Sequence, residues 1–309
     1  MGVILHQSLQ LEKPQLICSW PGIGNIGILA VSSLINQVGA KVFGEIEPWD
    51  FFEPRKATIH DGFLEELVFP SSVFHYQRLE NQDIIVFAGE EQPHGEGRLY
   101  ASGEVALKMA NLVLDTVEQY GCRRVYTSGA CVSAMHHENK PRVIAVASSE
   151  SLIAELKTLP NLALMSEVSE GSGDGVITGL NGLLLAAAKK RGMEAVCLMG
   201  EIPDWLSRTP FPYPKAAKSV MEVFASILGI EANYAFLDRQ AEEVDIIVNG
   251  LYQQFPPDVK ELYDQRRSLN QPDPISREEA DWMKEHLDDF LKSLAEQQDG
   301  GNDDDERPV

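Results

Sequence analysis

Three closely spaced glycines, Gly22, Gly24 and Gly27, mark the segment of this chain that is best suited to bind a ligand. They follow the apolar run Gln15-Leu16-Ile17-Cys18-Ser19 and precede a small, apolar segment, which predicts a buried strand, a tight turn and a helix. Glycine permits positive φ and close approach to the backbone. The N-terminus of a helix presents unpaired N–H groups and the positive end of its dipole. The turn is therefore a candidate anion site, and tight backbone packing is the alternative interpretation.

Other candidate ligand residues lie where later strands are predicted to end. In α/β sheets ligands gather at the carboxyl ends of the strands, and Glu201 directly follows the last predicted core strand. A carboxylate at that place can act as an acid, a base or an acceptor for a ribose hydroxyl. The solvated acid of an acidic protein is the simpler interpretation. The ligand-binding candidates are Gly22, Ile23, Gly24, Asn25, Gly89, Gly129, Asn181 and Glu201.

A dinucleotide site is a weaker interpretation of the same turn. The spacing Gly22-x-Gly24-x-x-Gly27 matches the dinucleotide fingerprint, and Glu47 lies 20 residues beyond Gly27, where a ribose-binding acid is expected. However, a tract of short strands follows in place of a second regular strand–helix unit. We therefore predict no cofactor.

The remaining clusters of reactive residue types are incomplete. The loop Gly171-Ser172-Gly173-Asp174-Gly175 precedes a predicted helix, but the Asp174 carboxylate would repel a phosphate. His136-His137-Glu138 offers metal-ligating side chains, but adjacent side chains diverge on a strand or a helix. A loop could gather them, yet no further ligand is evident. Glu90, Glu91 and His94 are expected to be exposed loop residues. The Gly-x-Ser-x-Gly nucleophile elbow is absent, so we predict no catalytic residue. Because the set of metal-ligating residues is incomplete, we also predict no metal.

Composition and charge exclude several classes of protein. The chain has 309 residues, of which 44% are hydrophobic and 24% charged, which is ordinary for a soluble globular protein. No apolar run approaches the roughly 20 residues that span a bilayer, and no secretory signal is evident, so we expect a cytoplasmic protein that does not enter membranes. The net charge of −21 argues against binding to nucleic acid.

The four cysteines favour a reducing compartment. None belongs to a CxxC pair, and each lies in or beside a predicted strand, so we expect buried, reduced thiols. They are Cys18, Cys122, Cys131 and Cys197.

Alternating strands and helices predict a three-layer α/β/α domain over residues 1–230. Between the second and third core strands lies a tract of short β-like runs with a hairpin signal at Asp61-Gly62. The sheet is therefore expected to be mixed, with antiparallel strands inserted into it or lying at its edge. Predicted core strands are 15–20, 41–46, 83–89, 125–129, 142–147 and 195–200; the short runs are 51–52, 58–61, 63–69 and 73–78; helices are expected to end near Gln37, Tyr120, Leu159, Lys190 and Leu228.

The last quarter of the chain is helical and acidic in pattern. From Glu231 onward there are 21 acidic and 8 basic residues, which give a net charge of −13. We predict an acidic helical C-terminal region over residues 231–298, containing a helix pair broken at Pro256-Pro257 and a further helix that opens with a capping box at Ser276. Residues 299–309 are predicted to be a disordered acidic tail.

The ordered set of glycine-bearing strand ends resembles the family of proteasome assembly chaperone 2 and its archaeal and bacterial relatives. The residues that carry this resemblance are Trp20-Pro21-Gly22-Ile23-Gly24-Asn25-Ile26-Gly27, Gly89 with Pro93, Ser128-Gly129, Gly175-Val176-Ile177-Thr178-Gly179-Leu180-Asn181-Gly182-Leu183 and Gly200-Glu201-Ile202-Pro203. The resemblance covers about residues 15–230.

This resemblance implies a fold similar to that of nucleoside phosphorylases and a non-enzymatic role as an assembly chaperone or scaffolding factor. It further implies homo-oligomers, with a trimer favoured, and proteasome-like subunits as protein partners. Archaeal relatives can dock on proteasome rings through a tail with a tyrosine next to last, whereas this sequence ends in Glu306-Arg307-Pro308-Val309, so tail docking is not expected. The alternative function is a nucleoside- or phosphate-binding protein or enzyme of the nucleoside-phosphorylase type.

Overall fold

The structure, a computed structural model, describes residues 2–93, 101–168 and 175–267. His94, most of the second glycine loop, the capping box at Ser276 and the acidic tail lie outside these residues. Within the described residues, no helix is both long enough and apolar enough to span a membrane.

The described residues form eleven strands and eight α-helices. The strands are β1 (Val3–Leu5), β2 (Gln15–Ser19), β3 (Lys41–Ile46), β4 (Lys56–His60), β5 (Phe63–Val68), β6 (Ser72–Arg78), β7 (Asp83–Gly89), β8 (Arg124–Ser133), β9 (Val143–Ala147), β10 (Leu162–Leu164) and β11 (Glu194–Pro203). The helices are α1 (Ile26–Val38), α2 (Gly103–Glu118), α3 (Glu150–Leu156), α4 (Met165–Val168), α5 (Gly179–Lys190), α6 (Pro214–Leu228), α7 (Ala235–Gln253) and α8 (Pro257–Arg267).

Nine of the strands form one mixed sheet in the order β1-β3-β6-β7-β2-β8-β11-β9-β10. The four central strands, β7, β2, β8 and β11, are parallel to one another. On one side β6, β3 and β1 continue the sheet with antiparallel pairs, and on the other side β9 is antiparallel to β11. The predicted mixed sheet is confirmed, whereas 51–52, which we predicted to be β-like, instead follows a short 3-10 turn at Pro48–Asp50.

Helices cover both faces of this sheet, which confirms the three-layer architecture. Alternate residues of each central strand point to opposite faces. In β2, Ile17 packs in the cluster that contains α1 and α6, and Leu16 packs in the cluster that contains α2 and α5. Tyr126 and Val125 divide in the same way in β8. Strands that are buried on both faces consist of nearly continuous runs of apolar residues, and such runs can be recognised in the sequence.

Helix α7 packs against α6, and α8 packs against α7 through the contact between Tyr252 and Tyr263. Their buried side chains, including Leu237, Val248 and Tyr263, belong to the same hydrophobic cluster as Ile17. Gly229, with φ +63°, ends α6 one residue before the predicted boundary at residue 230. The division of the chain into parts at residues 230 and 298 stays a prediction.

Candidate functional site

The glycine turn closes on itself through backbone hydrogen bonds. The Asn25 N–H donates to the Gly22 carbonyl at 2.9 Å, and the Ile26 N–H donates to the Ile23 carbonyl. Gly24 and Asn25 both lie in the left-handed region, with φ +57° and +49°. The turn is thus a compact 3-10 turn that leads directly into α1.

Gly24 is fixed by contacts to the end of β11 and the start of α6. A Cβ atom at this position would lie 3.0 Å from Ile202 Cδ1 and 3.1 Å from Tyr213 Cβ. The Gly24 carbonyl accepts a hydrogen bond of 2.8 Å from the Tyr213 N–H. Absence of a side chain therefore lets the turn pack against two other elements of the fold.

Gly27 allows α1 to cross directly over the sheet. A Cβ atom there would overlap the Ser128 carbonyl and the Ser19 hydroxyl. The Ser19 hydroxyl donates to that same carbonyl at 3.0 Å, which joins β2 to β8 beneath the helix. The third glycine of the fingerprint spacing is therefore explained by helix–strand packing.

Asn181 and Gly129 meet on the opposite face of the sheet. Asn181 Nδ2 donates to the Ser128 carbonyl at 2.6 Å, and a Cβ atom at Gly129 would lie 3.6 Å from the same nitrogen. Asn181 Oδ1 and the Ser128 hydroxyl are buried without a hydrogen-bond partner in the described part of the chain. Ser128 is thus a shared anchor for β2, β8 and α5.

Gln92 is a connecting residue that the sequence patterns did not reveal. Its Nε2 donates to the Pro21 carbonyl at 2.7 Å, next to the glycine turn. Its Oε1 accepts from the Leu180 N–H at 3.1 Å and from the Ala101 N–H at 3.3 Å. Gln92 is buried and satisfies a donor at the N-terminus of α5. A glutamine among loop residues gives no local signal of this role, because Pro21 and Leu180 lie 71 and 88 residues away in the sequence.

Glu201 is held by Arg142 in an ion pair whose carboxylate is buried and whose guanidinium is partly exposed. Arg142 Nε and Nη2 donate to the two carboxylate oxygens at 2.8 Å each, and the Arg142 N–H adds a third bond at 3.1 Å. The Glu201 side chain is 3% exposed.

Burial next to Glu201 also raises the pKa of the neighbouring Cys131 thiol to about 11. All four cysteines are free, with Cys131 partly exposed and the other three buried.

Gly89 lies against the indole of Trp20, and a Cβ atom there would overlap that ring. Trp20 also contacts Phe87, with ring centroids 5.2 Å apart. Glu90 and Glu91, at the end of β7, form ion pairs with Arg55.

Glu47 does not lie beside the glycine turn. It follows β3, which is separated from β2 by β6 and β7, and its carboxylate accepts from the Gly2 N–H at 2.5 Å. A dinucleotide unit needs its second strand next to its first. The strand order therefore does not support the dinucleotide interpretation.

The turn residues and Gly89 lie where β2 and β7 end, whereas Gly129 and Glu201 lie inside β8 and β11, which continue to Ser133 and Pro203, and Asn181 lies in α5. The eight candidate residues divide into a turn packed on the α1 and α6 face (Gly22, Ile23, Gly24, Asn25), a pair on the α5 face (Gly129, Asn181), and two residues fixed by other partners (Gly89 by Trp20, Glu201 by Arg142). Their role in ligand binding stays a prediction.

His136 and His137 lie in a loop, which the sequence left open as the one arrangement that could gather their side chains. The loop brings the two ring centroids within 4.3 Å of each other, and both side chains are buried. His137 Nε2 lies 3.0 Å from Asn249 Oδ1, and its ring contacts Tyr252 of α7 at 4.4 Å. Burial lowers the pKa of His137 to about 4. In the described residues there is no cluster of three metal-ligating side chains, and this pair instead anchors α7.

Similarity to known proteins identifies the family of this chain. The model of the PAC2 family matches residues 16–251. The uncharacterized protein MJ1210 of Methanocaldococcus jannaschii is 29% identical over 270 residues, which are 87% of this chain and 92% of that protein. The crystal structure of Pyrococcus furiosus PbaB, an archaeal proteasome activator, superimposes with a TM-score of 0.67 at 28% identity and covers 81% of this chain and 98% of PbaB.

A second archaeal structure shows the same fold at lower identity. Pyrococcus furiosus PbaA, an archaeal homologue of proteasome-assembly chaperone, has a TM-score of 0.59 at 20% identity and covers 86% of this chain and 99% of PbaA. The family match spans the glycine turn, the central strands and most of α7. The structural neighbours of this chain include homologues of proteasome-assembly chaperone, and the family match shows that the chain belongs to the PAC2 family.

Proposed function

We propose that this chain is a non-enzymatic assembly chaperone or scaffolding factor that acts on proteasome-like subunits in the cytoplasm. Membership of the PAC2 family carries this proposal, together with the 28% identity to PbaB over 98% of that chain. Family and fold give the protein class, and function within it must be argued from the residues.

The contacts at the sheet edge favour a scaffold over an enzyme. Glu201 is occupied by Arg142, Gln92 is occupied by three backbone groups, and the Gly24 carbonyl is bonded to Tyr213. The polar groups that could bind a ligand or take part in a reaction therefore stabilise the fold instead. A protein of this kind acts through its outer surface, where the partner binds.

We further propose that the protein works as a homo-oligomer and that the acidic C-terminal region serves mainly to keep it soluble. The net charge of −13 from Glu231 onward supports the second point, because high net charge opposes aggregation. The trimer that the resemblance implies is the assembly to test first.

Affinity purification from the host organism tests the proposed function. The chain is expressed from its own locus with a cleavable tag, and co-purifying proteins are quantified by mass spectrometry against a strain that carries the tag alone. We expect proteasome-like subunits at a fixed stoichiometry. Recovery of the tagged chain without any stoichiometric partner, in both growing and stressed cells, would overturn the proposal.

A further inference from the structure

Helix α7 presents a second apolar side to solvent, away from the side that packs in the core. Its inner side contributes Leu237 and Val248 to the hydrophobic cluster that contains α6. Its outer side exposes Phe236 at 54%, Ile246 at 75% and Ile247 at 44%. These residues and Gly250 fall within an arc of about 100° around the helix axis. We name this side the outer α7 face, and its members are Phe236, Ile246, Ile247 and Gly250.

Gly250 leaves a notch in the outer α7 face, one turn beyond Ile246 and Ile247. The residue is exposed, and a Cβ atom there would meet no described atom within 4 Å. A glycine inside a helix is unfavourable relative to alanine, because it increases the conformational entropy that the chain loses on folding. The distance between two packed helices depends on the side chains at their contact, so a glycine lets a second helix approach closely. The notch therefore fits a further helix on this side of α7.

The sequence that follows α8 contains a stretch whose pattern matches this face. Residues 280–294 have apolar residues at helical spacing with charged residues between them, which predicts an amphipathic helix. On such a helix the apolar residues fall within an arc of about 100°. They are Ala280, Met283, Leu287, Phe290, Leu291 and Leu294. An apolar stripe of this kind needs another apolar surface to cover it.

The lengths of the two stripes and of the connection between them are compatible. Phe236 to Gly250 and Ala280 to Leu294 each span about 21 Å along a helix. Residues 268–279 connect α8 to the stretch and reach up to about 40 Å when extended, which exceeds the length of about 28 Å that the 19 residues of α7 give. Pro272 in this connection prevents α8 from continuing as one straight helix. The chain can therefore fold back onto α7.

Charge and tethering favour this stretch over a separate molecule as the cover of the outer α7 face. A second copy of the chain would bring a further net charge of −21, which opposes the contact. The stretch is part of the same chain, and a short flexible connection gives it an effective concentration in the millimolar range. Arg239 and Glu243, which lie among the members of the face, have opposite charges. A separate protein would have to compete with the tethered stretch.

We propose that residues 280–294 form a helix that packs along the outer α7 face of the same chain. Its apolar stripe covers Phe236, Ile246 and Ile247, and its backbone lies close to Gly250. Its charged side remains in water, in agreement with the solubilising role that we propose for the acidic C-terminal region. The inference concerns contacts within one chain, so its failure is distinguishable from failure of the proposed proteasome role.

Hydrogen–deuterium exchange of the full chain, measured by mass spectrometry, tests the proposal. In the wild type the amides of residues 280–294 should exchange at least about tenfold more slowly than in an unstructured peptide of the same sequence. Ile246→Ser should speed their exchange by at least about fivefold, because it removes an apolar contact far away in the sequence. Ile59→Ser is the matched control, since Ile59 of β4 has a similar exposure of 70%. It should change their exchange by less than about twofold.

Gly250→Gln separates loss of this contact from unfolding of α7. Glutamine fills the notch, but it also favours the helical conformation of α7 over that with glycine. Exchange in residues 280–294 should therefore become at least about fivefold faster, whereas the amides of α7 should exchange no faster than in the wild type.

Exchange of residues 280–294 at the unstructured rate in the wild type would overturn the proposal. Slow exchange that Ile246→Ser and Gly250→Gln leave unchanged would also overturn it, because the stretch would then pack elsewhere. An effect of Ile59→Ser equal to that of Ile246→Ser would show that the outer α7 face has no special role. Slow exchange that disappears on dilution of the protein would assign the face to a second copy and contradict the proposal.

Discussion

Arg142 and Glu201 bind each other through four hydrogen bonds that involve both side chains and both backbones. The guanidinium donates twice and the Arg142 N–H once to the carboxylate, while the Glu201 N–H donates to the Arg142 carbonyl at 2.9 Å. This pair links the end of β11 to the segment before β9. It places the carboxylate that the sequence nominates for a ligand inside the framework of the sheet.

Glu201→Gln should destabilise the fold by about 2–3 kcal/mol, because it leaves the half-buried Arg142 guanidinium, 21% exposed, without its charged partner. The free energy of unfolding, measured by urea titration, is the readout. Glu91→Gln is the matched control: its pair with Arg55 is between exposed side chains, 36% and 45%, and exposed pairs contribute less than about 1 kcal/mol. Equal costs for the two substitutions would contradict this account.

Gly27→Ala should cost about 3 kcal/mol or more, because the new methyl group would overlap the Ser128 carbonyl and the Ser19 hydroxyl. Gly22→Ala is its control within the same turn. Gly22 has an extended backbone with φ −162°, and no atom lies within 4 Å of the position of its Cβ. The control should change the melting temperature by no more than a few degrees. A large loss in Gly22→Ala with Gly27→Ala unaffected would reverse our assignment of the packing glycine.

Gln92→Ala should lower stability by about 2–3 kcal/mol, since it leaves the buried Leu180 N–H and Pro21 carbonyl without their partner. Chemical denaturation followed by tryptophan fluorescence measures this loss. Gln92→Glu retains an acceptor for the Leu180 N–H, but it replaces the donor to Pro21 with a carboxylate oxygen that faces the Pro21 carbonyl, and it buries an unpaired charge. It should therefore lose at least as much stability as the alanine variant, and a clearly smaller loss would contradict the assigned role of the Pro21 hydrogen bond.

Stability should fall as the pH decreases from about 6.5 towards 4. Burial lowers the pKa of His137 to about 4 and also lowers the pKa of His136, so the unfolded chain binds more protons in this interval. The stabilising contribution is complete above the unfolded pKa and is lost as the pH approaches the folded value, with at most about 3 kcal/mol for His137. The groups that face the pair are Asn249, Tyr252, Asp264, Arg267, Lys215 and Glu138.

Urea titrations at several pH values test this dependence. His137→Gln should reduce the slope of the free energy of unfolding against pH by up to about 1.4 kcal/mol per unit in this interval. A His137→Gln slope equal to that of the wild type would show that His137 is not buried in its neutral form.

Much of the fold could be predicted from the sequence because its signals are local. The central strands are buried on both faces and therefore read as continuous apolar runs, as in 83–89. Gly39 and Gly229, which end α1 and α6 with positive φ, are visible as single residues after amphipathic segments. The Asp61-Gly62 turn has the same local character. The segment 51–52 was misread because two adjacent phenylalanines have high β-propensity, while Pro48 starts a 3-10 turn just before them.

The site was less predictable because its relationships are between distant segments. The positions of Gly24, Gly27 and Gly89 are visible in the sequence. Only the structure shows which residues occupy the space beside them, namely Tyr213, Ser128 and Trp20. The pairing of Glu201 with Arg142 spans 59 residues and has no local motif. The stacking of His136 on His137 depends on a loop that bends under α7, which residue spacing alone does not reveal.

Native mass spectrometry of the purified chain mixed with proteasome-like subunits from the same host tests the central claim most directly. The account predicts a complex of defined stoichiometry that forms before the subunits assemble, and a higher yield of assembled particles when the chain is present. A spectrum that contains only the separate components, with assembly unchanged at equimolar and at tenfold excess of the chain, would contradict it.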